Sequence, residues 1–208
     1  MVGVLFAIAC WAIWFLSPHN ISLLVFDKEA ILAGDWWRLW TAQLTHFKFS
    51  QLIMNTLIIA LTGLVVGRFV KVHHLILSLL LAMPVMTGLL LILLPDYVGY
   101  RGAFGVAAVM AMLAIWFLIL ETERFSQPYW FGIVLLLLFV LKVGIETLVL
   151  FSPSGSRSSG IPAVWLIQSA GILIGLVVFY AAHQIHATRT GRYDRYHDAP
   201  PRPRPRLP

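Results

Sequence analysis

Residues 129–151 read YWFGIVLLLLFVLKVGIETLVLF, an apolar run in which only Lys142 and Glu146 carry charge. An α-helix needs about 20 mostly apolar residues to cross the hydrocarbon core of a bilayer. A membrane-spanning β-strand needs about 10 residues and alternates polar with apolar side chains. Because this run is unbroken and about as long as a spanning helix requires, it predicts a transmembrane α-helix.

The rest of the chain has the same character. Of its 208 residues, 60% are hydrophobic and 12% are charged, whereas soluble domains carry about 25% charged residues. Five further apolar runs span residues 2–16, 51–70, 74–94, 103–120 and 161–182. The sequence therefore predicts an all-α polytopic membrane protein, with six transmembrane helices bundled in one domain over residues 1–183.

Two segments lie outside these runs. Residues 18–49 form a long first loop that contains Trp36, Trp37 and Trp40, and tryptophans of this kind sit at the level of the lipid headgroups. Residues 184–208 are rich in proline and arginine. Proline removes backbone hydrogen-bond donors and the tail has no core to join, so we predict a disordered tail. It either anchors the topology on anionic lipid or binds a partner.

The positive charge is concentrated at one end of the chain. The net charge is +6, and six of the fifteen basic residues fall in the last twenty: Arg189, Arg192, Arg195, Arg202, Arg204 and Arg206. With six spans, the side that holds both termini collects nine Lys and Arg residues and the other side five. The positive-inside rule then places both termini in the cytoplasm. This explains the charge without a nucleic-acid partner.

Cysteine and metal chemistry find no support in the pattern. The single cysteine, Cys10, lies inside the first apolar run, and no His, Asp or Glu cluster has the spacing of metal ligands. We expect no disulfide, metal ion or other cofactor.

Polar residues inside the spans are costly and therefore candidates for a site. Gln51 and Asn55 are four residues apart and share one helix face, so they point into a common cavity or hold neighbouring helices together. Lys142 and Glu146 are also four apart and form either a structural ion pair or part of a proton relay.

Glycines mark close approaches in two spans. Gly102 and Gly105 stand at the start of the fourth span, where they admit another backbone or a substrate. Gly171 and Gly175 form the small face of a tight helix crossing in the sixth span, and Gln168 lies one turn before them. The Gln168 amide is expected to point at the neighbouring helix.

In their order along the chain, these pieces resemble the rhomboid family of intramembrane serine proteases. Trp37-Arg38 is similar to the tryptophan-arginine pair of the family's first loop. His46, Gln51 and Asn55 match the spacing of the family's His-x4-His-x3-Asn motif at the second span, with Gln51 in place of the second histidine.

The catalytic positions of the resemblance are both substituted. Residues 102–105 match the Gly-x-Ser-Gly box, with Phe104 in place of the nucleophile. Gln168, Gly171 and Gly175 match His-x2-Gly-x3-Gly, with Gln168 in place of the catalytic base. Phenylalanine offers no nucleophile and glutamine does not titrate, so the catalytic pair is not intact.

The resemblance implies a function as well as a fold. The Lys142–Glu146 pair and the short chain make it most similar to the rhombosortase branch, which is associated with processing C-terminal anchor segments of exported bacterial proteins. It implies a protein of the bacterial inner membrane, surrounded by lipid, that binds the transmembrane segment of a client without cleaving it. Gln51, Asn55 and the backbone from Gly102 to Gly105 would line the cleft and hold a carbonyl. The oligomeric state stays open.

Two other functions remain alternatives. One is an active rhomboid-type protease with an unrecognised nucleophile, although His183 is fifteen residues past Gln168, about 22 Å along a helix. The serines of the last loop, Ser152, Ser154, Ser156, Ser158 and Ser159, follow no glycine box. The other alternative is a small transporter or channel subunit, but no inverted repeat is visible.

Overall fold

The computed structural model describes residues 1–16, 21–94, 99–152 and 160–189, and this part of the chain is all-α. Its helices are α1 (Val2–Leu16), α2 (Lys28–Leu32), α3 (Arg38–Thr41), α4 (Phe49–Val66), α5 (Val72–Leu93), α6 (Phe104–Leu120), α7 (Gln127–Leu150) and α8 (Gly160–Arg189), with a 3-10 turn at Ile21–Leu23. The predicted all-α class is confirmed.

Four helices are long and apolar enough to cross a membrane. They are α4, α5, α7 and the part of α8 from Gly160 to Ile185. The first and fourth predicted spans are also apolar helices, over Val2–Phe15 and Phe104–Leu120, but they are shorter. Every predicted run therefore falls on a helix, while the count of six crossing helices stays a prediction.

The last helix runs further than the sequence predicted. α8 continues to Arg189, so residues 184–189, which were assigned to the disordered tail, are helical. These six residues contain neither glycine nor proline, and Gly191 is the first helix breaker after them. The boundary at 183/184 is therefore too early. The remainder of the predicted tail, residues 190–208, lies outside the described residues.

The centre of the bundle is α6. Thirteen of its seventeen residues are buried, and the helix packs against α4, α7 and α8. Helix α7 is the opposite case, because Gly132 is its only buried residue. A helix that is apolar all round fits either a protein core or lipid. The packing assigns α6 to the core and exposes most of α7.

Glycines set the distance between α6 and α8. A Cβ atom built on Gly171 would lie 2.5 Å from the Gly105 carbonyl oxygen, and one on Gly175 would lie 2.8 Å from the Met112 Cβ. Two helices can approach this closely only where side chains are absent. The tight crossing that Gly171 and Gly175 predict is confirmed.

The first loop folds around the buried Arg38. Its guanidinium Nη1 donates to the carbonyl oxygens of Ser22 and Val25 at 2.6 and 3.1 Å. Its Nη2 lies 2.9 Å from an Asp35 carboxylate oxygen. The neighbouring Trp37 donates its indole N–H to the Leu23 carbonyl at 3.0 Å while half of its surface stays exposed. One planar cation with several donors thus closes the loop.

The glycine contact yields a stability prediction. Gly171→Ala places a methyl group against the Gly105 carbonyl, so we expect the free energy of unfolding to fall by about 1–3 kcal/mol. Titration with sodium dodecyl sulfate in mixed micelles measures it. The matched control is Gly144→Ala on α7, where the added Cβ meets nothing within 4 Å. Equal stabilities of the two variants would contradict the close crossing.

Candidate functional site

A cavity of about 590 Å³ lies at one end of the bundle. It is surrounded by the starts of α4, α6 and α8 and by the last turns of α7. We call this end of the bundle the cavity end. Thirteen residues line the cavity: Phe47, Lys48, Gln51, Tyr100, Arg101, Phe104, Ile145, Glu146, Val149, Gly160, Ile161, Val164 and Trp165. Most of the lining is apolar, with a few polar groups, which is the composition of a ligand site.

Gly102 sets the backbone conformation of the segment that leads into α6. Its φ of +143° is a conformation that side chains rarely adopt, and a Cβ there would lie 2.5 Å from the Gln51 Nε2. The Gly102 N–H donates to the Ala42 carbonyl at 3.1 Å, and its own carbonyl accepts from the Tyr100 hydroxyl. The segment before α6 is thus tied to the first loop.

Phe104 begins α6 and lines the cavity with a half-buried side chain. Gly105, next along the helix, is buried against Met86 and Ile167, where a Cβ would lie 2.6 and 2.7 Å from their side-chain atoms. Gly102 and Gly105 therefore serve the packing around the cavity and do not line it themselves. The space beside Gly102 is taken by the Phe104 ring.

Gln51 lines the cavity, but its amide is already engaged. Its Nε2 donates to the Arg101 carbonyl at 3.0 Å, and its Oε1 accepts from the Phe47 N–H at 3.3 Å. The side chain therefore connects the start of α4 to the segment that precedes α6. It holds two walls of the cavity together.

Asn55 does not share this cavity, so the interpretation that Gln51 and Asn55 point into one space is wrong. Asn55 is buried one turn further along α4, where its amide nitrogen lies 3.4 Å from the His46 Nε2. The first loop carries His46 behind the cavity wall, and that histidine satisfies Asn55. The helix face was predicted correctly, but the partner on that face was not.

His46 is itself deeply buried, with 2% of its surface exposed. Burial lowers the pKa of its imidazole from 6.5 to about 4, and a backbone group of Leu44 opposes part of that change. The ring is therefore neutral near pH 7, and accepting from Asn55 places its proton on Nδ1.

Lys142, Glu146 and Gln168 form a closed polar ring between α7 and α8. The Lys142 ammonium donates to Glu146 Oε1 and to Gln168 Oε1, both at 2.6 Å. The Gln168 amide nitrogen completes the ring by donating to Glu146 Oε2 at 2.8 Å. The predicted ion pair and the predicted direction of the Gln168 amide are both confirmed. Each member of the ring is therefore hydrogen-bonded to the other two.

One more polar contact reinforces this helix pair. The Trp165 indole N–H donates to the Thr147 hydroxyl at 3.0 Å, one residue beyond Glu146. Gln168 is 4% exposed and does not line the cavity, whereas Glu146 and Trp165 do. The polar ring therefore stands in the wall of the cavity, with Gln168 behind it.

No Ser-His or Cys-His pair lines the described part of the cavity. Among the described residues that line it there is no serine, threonine, cysteine or histidine. His183 contacts Glu121 at the end of α6 opposite the cavity, so it is too distant, as its sequence position indicated. Ser154, Ser156, Ser158 and Ser159 lie outside the described residues. In the described ranges, no three His, Cys, Asp or Glu side chains are grouped closely enough to hold a metal ion.

Sequence reasoning missed several lining residues, notably Lys48, Arg101 and Trp165. Lys48 precedes α4 and Arg101 precedes Gly102, so both resemble ordinary cations at helix ends. Their position near Gln51 and Gly102, which were already candidate site residues, was the one feature of the sequence that indicated a place in the lining.

No protein-family model matches this sequence, and no curated protein matches it either.

The polar ring predicts non-additive stability effects. Lys142→Leu leaves Glu146 and Gln168 without their shared donor, so we expect the free energy of unfolding to fall by about 1–3 kcal/mol. Lys142→Leu/Glu146→Leu removes both charges and should cost less than the sum of the two single variants. Unfolding titrations in mixed micelles measure all three. Strictly additive losses would contradict a coupled ring.

The buried His46 predicts a pH dependence. Its folded pKa lies below the unfolded value, so its contribution to stability is complete above pH 6.5 and is lost as the pH falls toward about 4. The loss follows because the unfolded state binds the proton first, and it amounts to about 3 kcal/mol. His46→Gln should remove this component. The prediction is wrong if the free energy of unfolding falls by the same amount in wild type and in His46→Gln between pH 7 and pH 4.

Proposed function

We propose that this protein is a rhomboid-like, catalytically inactive membrane protein that binds the apolar transmembrane or C-terminal anchor segment of a client protein. The observation that carries the proposal is the apolar cavity at the end of the bundle, which Phe104 lines. The resemblance assigns the nucleophile to this position and the base to Gln168. Neither side chain can perform that chemistry.

A six-span topology is part of the proposal. Helices α1 and α6 have 15 and 17 residues, so α6 is about 25 Å long, close to the thickness of the hydrocarbon core. α1 packs in antiparallel contact with α4, where the Trp11 indole donates to the Thr56 hydroxyl at 3.2 Å. We infer that both helices cross with the four longer ones, in a bacterial plasma membrane with both termini in the cytoplasm.

Binding without cleavage follows from how the polar groups are used. The Gln168 amide is held by Lys142 and Glu146 and is not available to a ligand. The Gln51 amide spans Arg101 and Phe47 in the same way. With these two amides occupied, neither glutamine is free to bind a ligand, and most of the remaining lining offers apolar contact. An apolar segment loses little by entering it from lipid and gains close packing.

The first experiment is labelling with a serine-directed fluorophosphonate, which joins its phosphorus to a reactive hydroxyl oxygen as fluoride leaves. Wild type is compared with Phe104→Ser/Gln168→His. In that variant the new histidine would lie beside the Lys142 ammonium, so a second variant carries Phe104→Ser/Gln168→His together with Lys142→Leu/Glu146→Leu. Phe104→Ala/Gln168→His is the control that lacks a nucleophile.

We expect no labelling of wild type or the control, and labelling of at least one serine-containing variant. A labelled wild type would establish an active protease, and its modified residue would identify the nucleophile. If no variant reacts although each one unfolds cooperatively, positions 104 and 168 are not arranged as a catalytic pair, and the rhomboid-like part of the proposal fails.

A further inference from the structure

Two cations in the cavity lining have no carboxylate partner among the residues that the structure describes. Lys48 and Arg101 both line the cavity, and neither forms an ion pair with a carboxylate in the described part of the chain. The Arg101 guanidinium carbon lies 4.9 Å from the centre of the Phe47 ring, and Lys48 is the next residue in sequence. The ring helps to hold the guanidinium in place.

The acidic group in the lining does not cancel this charge. Glu146 is paired at 2.6 Å with the Lys142 ammonium through Oε1, and its Oε2 accepts from Gln168. Its negative charge is therefore neutralised within the polar ring. What remains is an apolar cavity with two positive charges at the ends of α4 and α6, and a ligand that fits it has an anionic group beside an apolar body.

We propose that the cavity selects client segments that carry an aspartate or glutamate at the cavity end of their apolar stretch. The proposal rests on the proposed function and adds the charge of the client. Lys48 and Arg101 are the residues that bind this carboxylate. The apolar part of the segment packs against Phe104, Val164 and Trp165.

The size of the cavity favours a protein segment over a phospholipid. A volume of about 590 Å³ falls in the range of sites that enclose small organic ligands, about 300–1,000 Å³. A few consecutive side chains fill such a space, whereas a phospholipid brings two long acyl chains besides its headgroup. An arginine can form two parallel hydrogen bonds with a carboxylate, and such a pairing would fix the position of the segment along its axis.

The test uses the full chain in phosphatidylcholine vesicles and two synthetic single-span peptides. Both have the same stretch of leucine and alanine with a photoreactive leucine. One has glutamate and the other glutamine at both ends of the stretch, so that either orientation presents the group at the cavity end. Light-induced adducts are quantified and mapped by mass spectrometry for wild type, Lys48→Gln/Arg101→Gln, and the control Lys28→Gln on α2.

We expect the glutamate peptide to yield about five times more adduct than the glutamine peptide, which corresponds to about 1 kcal/mol, the upper end for one partly exposed charge pair. The adducts should map to residues that line the cavity. Lys48→Gln/Arg101→Gln should reduce the glutamate peptide to the level of the glutamine peptide, and Lys28→Gln should leave the ratio unchanged.

Other results separate the two proposals. Equal cavity adducts from both peptides would overturn the charge selection and leave the proposed function standing. If neither peptide forms adducts with residues that line the cavity, both proposals are overturned. If phosphatidylglycerol in the vesicles displaces both peptides from the wild-type cavity but not from Lys48→Gln/Arg101→Gln, then the two cations bind lipid headgroups and the client proposal is wrong.

Discussion

The direct packing of α8 on the backbone of α6 is the contact on which the other features of the structure depend. Gly171 lies against the Gly105 carbonyl, so α6 is held at the centre with its first turn beside the first turns of α8. This contact brings Phe104 to the cavity and Gln168 within reach of α7. If α8 were displaced by the width of one side chain, neither the cavity wall nor the polar ring would form as described.

Three polar side chains at the cavity end, those of Gln51, Asn55 and Gln168, are paired inside the protein. Lipid offers no hydrogen bonds, so unpaired groups there cost several kcal/mol. Gln51 bridges two segments, Asn55 contacts His46, and Gln168 joins the pair on α7. The two cations are the exception, and that is why they suggest a ligand.

Much of the architecture was predictable from sequence because apolar length and residue spacing are local properties. The unbroken runs identified the helices, and the spacing of Lys142 and Glu146 identified their pairing. The third member of the ring, Gln168, lies 22 residues from Glu146, and only the packing of α8 on α7 brings the two together. For the same reason, the sequence could show which face Asn55 occupies but not that the first loop returns His46 to that face. The presence of Lys48 and Arg101 in one cavity lining likewise depends on how two separate helices begin.

The exposure of α7 has a consequence for how this protein can change in evolution. Its outer face touches no other described helix, and lipid accepts any large apolar side chain about equally well. Substitutions among leucine, valine, isoleucine and phenylalanine on that face should accumulate almost freely in related sequences. The residues on the inner edge of the same helix cannot vary in this way. Gly132 contacts α6, whereas Lys142, Glu146 and Thr147 contact α8. A family alignment should therefore show α7 as a variable helix with one fixed edge, and that edge would mark where the helix faces the protein.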